Sequence, residues 1–154
     1  MKKSKRIFGV ALLTSLLLTP IIAAQASTED NYFNNFTISA RSFTPVSPPR
    51  EKSNSSSVYA YITKAGNYVK AQTWACGSTA WNSNLTQDYT GIQTDWVRLN
   101  IGYEYEIYNG IYEAGYHFAG LKLESGNWLR SDIVSGRWSA DSIRTPGMIV
   151  ARHQ

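Results

Sequence analysis

The sequence predicts an all-β fold, a small antiparallel β-sandwich of the immunoglobulin-like or jelly-roll-like type that follows a cleaved signal peptide. Three observations predict the sandwich. Short apolar segments alternate with turns that contain glycine, asparagine and serine, and no span shows the 3.6-residue apolar period of an amphipathic helix. The chain also contains 5 Trp and 10 Tyr, aromatic residues that fit pleated, half-buried surfaces.

The first 26 residues, MKKSKRIFGVALLTSLLLTPIIAAQA, have the composition of a secretory signal peptide. Four basic residues precede an apolar run, and Ala24 and Ala26 are the small residues, two apart, that precede the expected cleavage after Ala26. The alternative is a membrane anchor, but Pro20 interrupts the run and no basic stop-transfer residues follow it directly. We therefore expect a secreted, extracellular protein without a stable membrane anchor.

Cleavage would leave a neutral chain. Removing 26 of 154 residues leaves 128, which suits one domain. Four of the 15 Lys and Arg lie in the signal peptide and none of the 11 Asp and Glu does, so 11 basic and 11 acidic residues remain. The basic pI of the full chain therefore gives no reason to expect nucleic acid as a partner. The single cysteine excludes an intramolecular disulfide, and with the lysine-rich leader this favours a Gram-positive bacterial source.

The first half of the mature chain predicts three strands. Residues 27–57 form an N-terminal strand, from about Phe33 to Ala40, and a loop rich in proline and serine. Residues 58–64 and 68–75 then alternate, and Gly66-Asn67 between them predicts a β-hairpin. We assign residues 58–154 to the β-sandwich and expect residues 27–154 to form one unit.

The second half predicts a polar loop and three or four strands. Residues 76–94 are polar and contain glycine, so they predict a loop. The segments DWVRLNIGYEYEIY and IYEAGYHFAGLKLE are separated by Asn109-Gly110, which predicts a second hairpin, and WLRSDIVSGRWSADS predicts one or two short strands.

Strand alternation assigns two faces to the Ile101–Gly120 hairpin. If Asn109-Gly110 is a two-residue turn, Glu106 lies opposite Glu113, and like charges directly opposite one another destabilise a sheet. Bound Ca²⁺ would explain the pairing, because it takes oxygen ligands, so Ca²⁺ is the one candidate cofactor. Neighbouring basic side chains, water or a different register would also explain it, and because these carboxylates lack the dense loop spacing of calcium motifs we expect a solvated face and no cofactor. The predicted core face contains Ile101, Tyr103, Tyr105, Ile107, Tyr112, Ala114, Tyr116 and Phe118. The candidate metal ligands on the other face are Glu104, Glu106, Glu113 and His117.

Catalytic patterns are scarce in this chain. Glu104 and Glu106 would lie about 7 Å apart on one strand face, a separation that suits two carboxylates acting on a glycosidic bond, but such pairs are ordinary on exposed strands. Cys76 with His117 is the one thiol-based pair, and WACGSTAW matches no thiol-protease signature. No HExxH, GxSxG or phosphate-binding loop occurs. We predict that the protein is not an enzyme and keep an extracellular hydrolase as a distant alternative.

Aromatic residues supply the candidate binding groups. Trp81 lies in the polar loop STAWNSNLT, and with Tyr108 and Trp128 it is a candidate to stack on a sugar or to anchor a partner. Trp74, Trp96 and Trp138 lie in strand-like segments and are expected in the core.

The segments REKSNSSSVYAYITKAG, AGYHFAGLKLESGN and VSGRWSADS resemble a family of small secreted proteins of Gram-positive bacteria that is catalogued as a domain of unknown function. The resemblance implies a leader and a short β-rich body, and it implies no activity. In size, export and glycine- and aromatic-rich strands the chain is also similar to the lactococcin-972-type bacteriocins.

The sequence thus leaves two functions open. The first is a secreted, non-catalytic β-domain that binds a cell-wall component, a glycan or an extracellular protein. The second is a bacteriocin-like toxin or effector.

Overall fold

The computed structural model describes residues 28–81, 86–88, 96–143 and 145–151, with the backbone alone for residues 86–88. The predicted signal peptide lies outside these residues. The described residues contain strands and turns, and none of them belongs to a helix that is long and apolar enough to cross a membrane. In chain order the strands are β1 (Asn31–Ile38), β2 (Thr44–Pro45), β3 (Arg50–Glu51), β4 (Val58–Lys64), β5 (Val69–Cys76), β6 (Thr86–Asp88), β7 (Val97–Leu99), β8 (Glu104–Ile107), β9 (Phe118–Ser125), β10 (Asp132–Ser139) and β11 (Ile149–Ala151).

The strands form two sheets. Sheet A has the order β1-β10-β4-β8-β11, and its pairs are antiparallel except that β11 runs parallel to β8. Sheet B has β5 and β9 at its centre, with β2 and β3 on the far side of β9 and with β6 and β7 on the far side of β5. The prediction of an all-β sandwich built from mostly antiparallel sheets is confirmed.

One hydrophobic core draws on both sheets. The alternation of each strand sends every second side chain inward, as in β5, where Val69, Ala71, Thr73 and Ala75 are buried and Lys70, Gln72 and Trp74 between them are partly exposed. Trp138 of β10 is the largest fully buried side chain, as predicted for the core. Its indole Nε1 donates to Ser47 Oγ at 3.2 Å, so the buried ring keeps a hydrogen-bond partner.

The predicted hairpin of residues 58–64 and 68–75 is wrong in its pairing, although the bounds of both strands are nearly right. β4 belongs to sheet A and β5 to sheet B, so the chain crosses from one sheet to the other at this point. The Asp132 carboxylate holds the corner, because its Oδ2 accepts hydrogen bonds from the backbone N–H groups of Gly66 and Asn67 at 2.8 and 3.2 Å.

The predicted Ile101–Gly120 hairpin is also wrong. β8 lies in sheet A and β9 in sheet B. The residues between them form a compact turn, in which the side chain of Ile111 is fully buried. Gly115 ends this turn at φ +86°, a left-handed conformation that favours glycine. Of the predicted core face, Tyr105 and Ile107 are buried, Tyr116 and Phe118 are partly buried, and the others are exposed: Ile101, Tyr103, Tyr112 and Ala114.

Two further strand predictions differ from the structure. The loop predicted after the first strand contains β2 and β3, which are two residues each and pair with β9. β6 lies within the loop predicted at residues 76–94, and residues 82–85 and 89–95 of that loop lie outside the described residues. Strands this short carry too little alternation to be recognised in a sequence.

Candidate binding face

The outer face of sheet B carries an alternation of cations and aromatic rings. On β5 and the residue before it, the side chains that face away from the core are those of Tyr68, Lys70, Gln72 and Trp74. The neighbouring strands add outward-facing residues opposite them, because Lys70 pairs with Arg98 of β7 and with Glu124 of β9, and Gln72 pairs with Lys122. We call this set the cation–aromatic row: Tyr68, Lys70, Trp74, Trp81, Trp96, Arg98 and Lys122.

Trp81 reaches this face because a glycine makes room for it. Its indole lies on Gly120 of β9, where a Cβ atom would come within 2.2 Å of Trp81 Cη2. The indole Nε1 donates to the backbone carbonyl of Ser47 at 2.8 Å, which fixes the ring from the other side. The predicted binding residue Trp81 is therefore partly buried against the sheet, and its ring lies next to Trp74, which is opposite Gly120.

Lys122 places its ammonium group between two indoles. Its Nζ lies 3.3 Å from the ring centroid of Trp74 and 4.9 Å from that of Trp81. Both distances are within the range of favourable cation–π contacts. The contact orders a flexible lysine side chain on the sheet, so the positive charge has a defined position.

Two more cations of the row lie over aromatic rings. Lys70 Nζ lies 5.1 Å from the ring centroid of Trp96 and also forms an ion pair with Glu124 Oε1 at 2.7 Å. The Arg98 guanidinium lies 4.0 Å from the ring centroid of Tyr68, and its Nε donates to Asn100 Oδ1 at 3.1 Å. Trp74 and Trp96 therefore belong to the outer face of the sheet and not to the core, contrary to prediction.

A fourth pair lies beyond the Tyr68 end of the row. The Gly126 N–H donates to the Tyr68 carbonyl, and two residues later Trp128 lies in contact with Arg41. The Arg41 guanidinium is 5.1 Å from the Trp128 ring centroid, and its Nε donates to the Trp128 carbonyl at 3.2 Å. Trp128 is 62% exposed, which agrees with its assignment as a surface aromatic.

The three predicted binding aromatics do not form one site. Trp81 lies on the first half of β9, and Trp128 follows its end, about 16 Å farther along by strand rise. Tyr108, which is 40% exposed, follows β8 in the other sheet, where its N–H donates to the Ala151 carbonyl.

The four predicted metal ligands occupy separate surroundings. Glu104 Oε1 accepts from the Tyr59 hydroxyl at 2.8 Å and from Arg137 Nη2 at 2.9 Å. Glu106 is buried and accepts from Ser142 Oγ at 3.1 Å. Glu113 and His117 are exposed, and within the described part of the chain no three His, Cys, Asp or Glu residues form a group able to hold a metal ion. Glu104 thus has a basic and a hydroxyl neighbour, and Glu106 has a hydroxyl neighbour.

The outer face of sheet A contains a cleft of about 230 Å³. Its lining includes Tyr59, Glu104, Ser139, Asp141 and Ser142. Burial raises the pKa of Tyr59, and its hydrogen bond to Glu104 raises it further, so the phenol keeps its proton at neutral pH. A protonated phenol and a carboxylate already bound by arginine are not arranged as a nucleophile and a free base.

A buried ion pair that the sequence did not indicate includes Asp141 of this cleft. Lys52 Nζ lies 3.0 Å from Asp141 Oδ1, and both side chains are fully buried. Lys52 also donates to the carbonyls of Ser56 and Ala140, and Asp141 Oδ2 accepts from the N–H and hydroxyl of Ser53, both at 2.9 Å. No local pattern connects partners 89 residues apart, so the sequence carried no signal for this pair.

The comparisons with known proteins identify the family. A family model described as "Protein of unknown function (DUF2712)" matches residues 20–142. The chain belongs to the DUF2712 family. Searches of the curated proteins and of the solved structures found no match. The predicted resemblance to a family of unknown function is therefore confirmed.

The DUF2712 match contains every residue of the cation–aromatic row. It extends from before β1 to just beyond β10, and β11 lies outside it. The ion pair of Lys52 and Asp141 also lies within the DUF2712 segment, near its C-terminal limit.

Proposed function

We propose that the protein is a secreted, non-catalytic β-domain that binds a polymer of the cell envelope through the cation–aromatic row. The observation that carries this proposal is the row itself, in which each cation lies over a ring on one open sheet face. Indole and phenol rings provide stacking surfaces for sugar rings, and ordered cations and amides donate hydrogen bonds to their oxygens. The signal peptide expected at residues 1–26 would deliver this face to the envelope.

The side chains of the row are held in fixed positions, which favours a binding surface over one that is only solvated. Lys122 and Lys70 are long side chains that lose rotamer freedom when they are fixed, and cation–π contacts hold both. A partner that meets fixed groups loses less entropy on binding. Sheet A supports the non-catalytic part of the proposal, because its carboxylates Glu104 and Glu106 accept hydrogen bonds from neighbouring side chains.

Co-sedimentation with isolated Gram-positive cell walls tests the proposal. The protein is recovered from the medium of an expression host, so that the same preparation shows whether the chain is exported. We expect saturable sedimentation with the walls, and we expect Tyr68→Ala and Arg98→Gln, which each remove a member of the row, to weaken it at least threefold.

The matched controls are exposed residues outside the row. Tyr103→Ala removes an aromatic ring that is 55% exposed, and Arg130→Gln removes an exposed positive charge. Both should sediment like the wild type. Failure of the wild-type protein to sediment, or equal loss in row variants and controls, would overturn the proposal.

A further inference from the structure

We infer that the envelope polymer is anionic and carries phosphate diesters, and that its successive phosphates lie along the cation–aromatic row. This inference rests on the proposed function and names the chemical class of its ligand. It follows from the distribution of charge in the molecule, the spacing of the cations and the open shape of the face.

Charge is distributed unevenly between the two sheets. Lys70, Lys122 and Arg98 of the row, with Arg41 beyond it, give four positive charges against Glu124, a sum of +3. Counting also Asp88, which lies opposite Trp74 on β6, and the exposed Glu51, which lies opposite Phe118 on β3, the sum is +1. The mature chain expected from the sequence is neutral, with 11 basic and 11 acidic residues, so this excess is local. A local positive field attracts a polyanion even when the whole molecule has no net charge.

Sheet A carries the opposite excess. Among the described residues in or beside its outer cleft, the acidic ones are Asp30, Glu104, Glu106 and Asp141 and the basic ones are Arg137 and Lys52, which gives a sum of −2. A polyanion would be repelled from this side. The protein therefore presents one face to an anionic polymer and turns the other away from it.

The spacing of the cations suits a chain with repeated charges. Lys122 and Glu124, the partner of Lys70, are two residues apart on β9, which is about 7 Å along the strand. From Tyr68 to Trp74 the row extends about 20 Å. A polymer with a short polyol or sugar unit between consecutive phosphates has a comparable repeat. The phosphates of such a polymer would contact the cations of the row, and its carbon skeleton would contact the rings.

The rings hold the cations without neutralising them. An aromatic ring attracts an ammonium or guanidinium group through its quadrupole and carries no net charge, so the contacts with Trp74 and Tyr68 position Lys122 and Arg98 without adding a negative charge to the face. A phosphate diester remains ionised throughout the physiological pH range, and arginine and lysine both bind it. The open face suits a polymer, because a small anion bound at one cation would gain only a single exposed ionic contact.

Co-sedimentation with two wall preparations tests the inference. One preparation is treated with nuclease, and the other is treated with nuclease and then with cold hydrofluoric acid, which cleaves phosphate diesters and leaves the peptidoglycan. The full secreted protein is used. We expect binding to the first preparation and at least tenfold weaker binding to the second.

The outcomes distinguish failure of the phosphate ligand alone from failure of wall binding as a whole. Equal binding to both preparations would overturn the phosphate ligand and retain wall binding. Absence of binding to either would overturn both proposals. A third, untreated preparation is the control: binding to it that is lost on nuclease treatment would identify a nucleic acid contaminant as the ligand and overturn both.

Salt dependence provides a second measurement that does not depend on a variant's folding. With three phosphate contacts, affinity for a single-stranded polyanion should fall on the order of 100-fold between 50 and 500 mM salt. Arg98→Gln and Lys122→Gln should each reduce the slope of log affinity against log salt by about 0.7. Lys64→Gln and Arg130→Gln, which remove exposed cations outside the row, should leave the slope unchanged. A slope near zero for the wild type would overturn the inference.

Discussion

At the scale of single residues, the buried pair of Lys52 and Asp141 connects the two halves of the chain. Lys52 follows β3 of sheet B and Asp141 follows β10 of sheet A. Burial of two charges costs several kcal/mol of hydration per ion, and here the ion pair and the hydrogen bonds from Ser53 and to Ser56 offset that cost. The pair therefore fixes how the ends of these two strands meet.

Asp141→Asn should lower the free energy of unfolding by about 3–5 kcal/mol, because it leaves the Lys52 ammonium buried without its counter-ion. Urea denaturation measures this. Asp30→Asn is the matched control, because it breaks a partly exposed ion pair with Arg137 and should cost about 1 kcal/mol or less. The double variant Lys52→Met/Asp141→Leu should recover most of the loss. Equal costs for Asp141→Asn and Asp30→Asn would contradict this account.

The same pair predicts how stability depends on acid. Burial alone raises the pKa of Asp141, but hydrogen bonds from Ser53 and Lys52 outweigh it, so the pKa lies below the ordinary 3.8. A carboxyl group with a lowered folded pKa stabilises the fold above its unfolded pKa, and this contribution is lost as pH falls through the folded pKa. Stability of the wild type should therefore decrease below about pH 4, and part of the decrease should be absent in Asp141→Asn. Urea denaturation from pH 7 to pH 2 measures both curves.

Cys76 should be unreactive in the folded protein. Burial raises the pKa of its thiol to about 11 from the ordinary 9.0, although nearby Lys122 lowers it slightly. At pH 8 the thiolate fraction is then about 100-fold smaller than in the unfolded chain, and burial also blocks access. Iodoacetamide should alkylate Cys76 in urea and leave it unmodified without urea, as read by mass spectrometry. Comparable rates in the two states would contradict the burial of this thiol.

At the scale of elements, the sequence predicted where strands begin and end better than it predicted which strands pair. The bounds of β4 and β5 followed from local alternation and the glycine between them. Their assignment to different sheets depends on Asp132, which lies 66 positions from Gly66 and caps the corner between the strands. A short connection between two strands predicts a hairpin unless such a distant contact is known.

The candidate site shows the same limit. Trp128 was predictable as an exposed ring because it follows the turn Ser125-Gly126-Asn127. The packing of Trp81 on Gly120 was not predictable from the sequence. Gly120 lies 39 positions later, in β9, and the sequence did not show that β9 pairs with β5. The row exists only once β5, β7 and β9 are adjacent.

Gly120→Ala tests the packing of Trp81 on β9. The added methyl group would come within 2.2 Å of the indole, so the ring must move and its hydrogen bond to the Ser47 carbonyl at 2.8 Å must lengthen or break. We expect a loss of about 1–3 kcal/mol in unfolding free energy and a red shift of tryptophan fluorescence. In a Trp81→Ala background the same change should cost nothing or stabilise slightly, because alanine suits a strand better than glycine. Additive effects of the two substitutions would contradict this contact.

At the scale of the whole molecule, the two sheets have different tasks in our account. Sheet B carries the cation–aromatic row, and sheet A carries the acidic cleft and the edge strand β11. Both sheets share one core, so loss of a strand that supplies large core side chains affects both, whereas loss of β11, in which Ala151 alone is buried, affects mainly its own sheet. The family match ends at residue 142, before β11, which suggests where the molecule can be shortened.

Two truncations test this division. A chain that ends at Ser142 loses β11, three paired residues beside β8 and the Tyr108–Ala151 backbone hydrogen bond, so it should unfold at lower temperature but sediment with cell walls like the full protein. A chain that begins at residue 40 loses β1, which pairs with β10 and buries Phe33 and Ile38, and it should not fold. Circular dichroism melting and co-sedimentation measure both. Loss of wall binding in the folded Ser142 truncation would place the binding site on sheet A and refute the assignment of binding to the row.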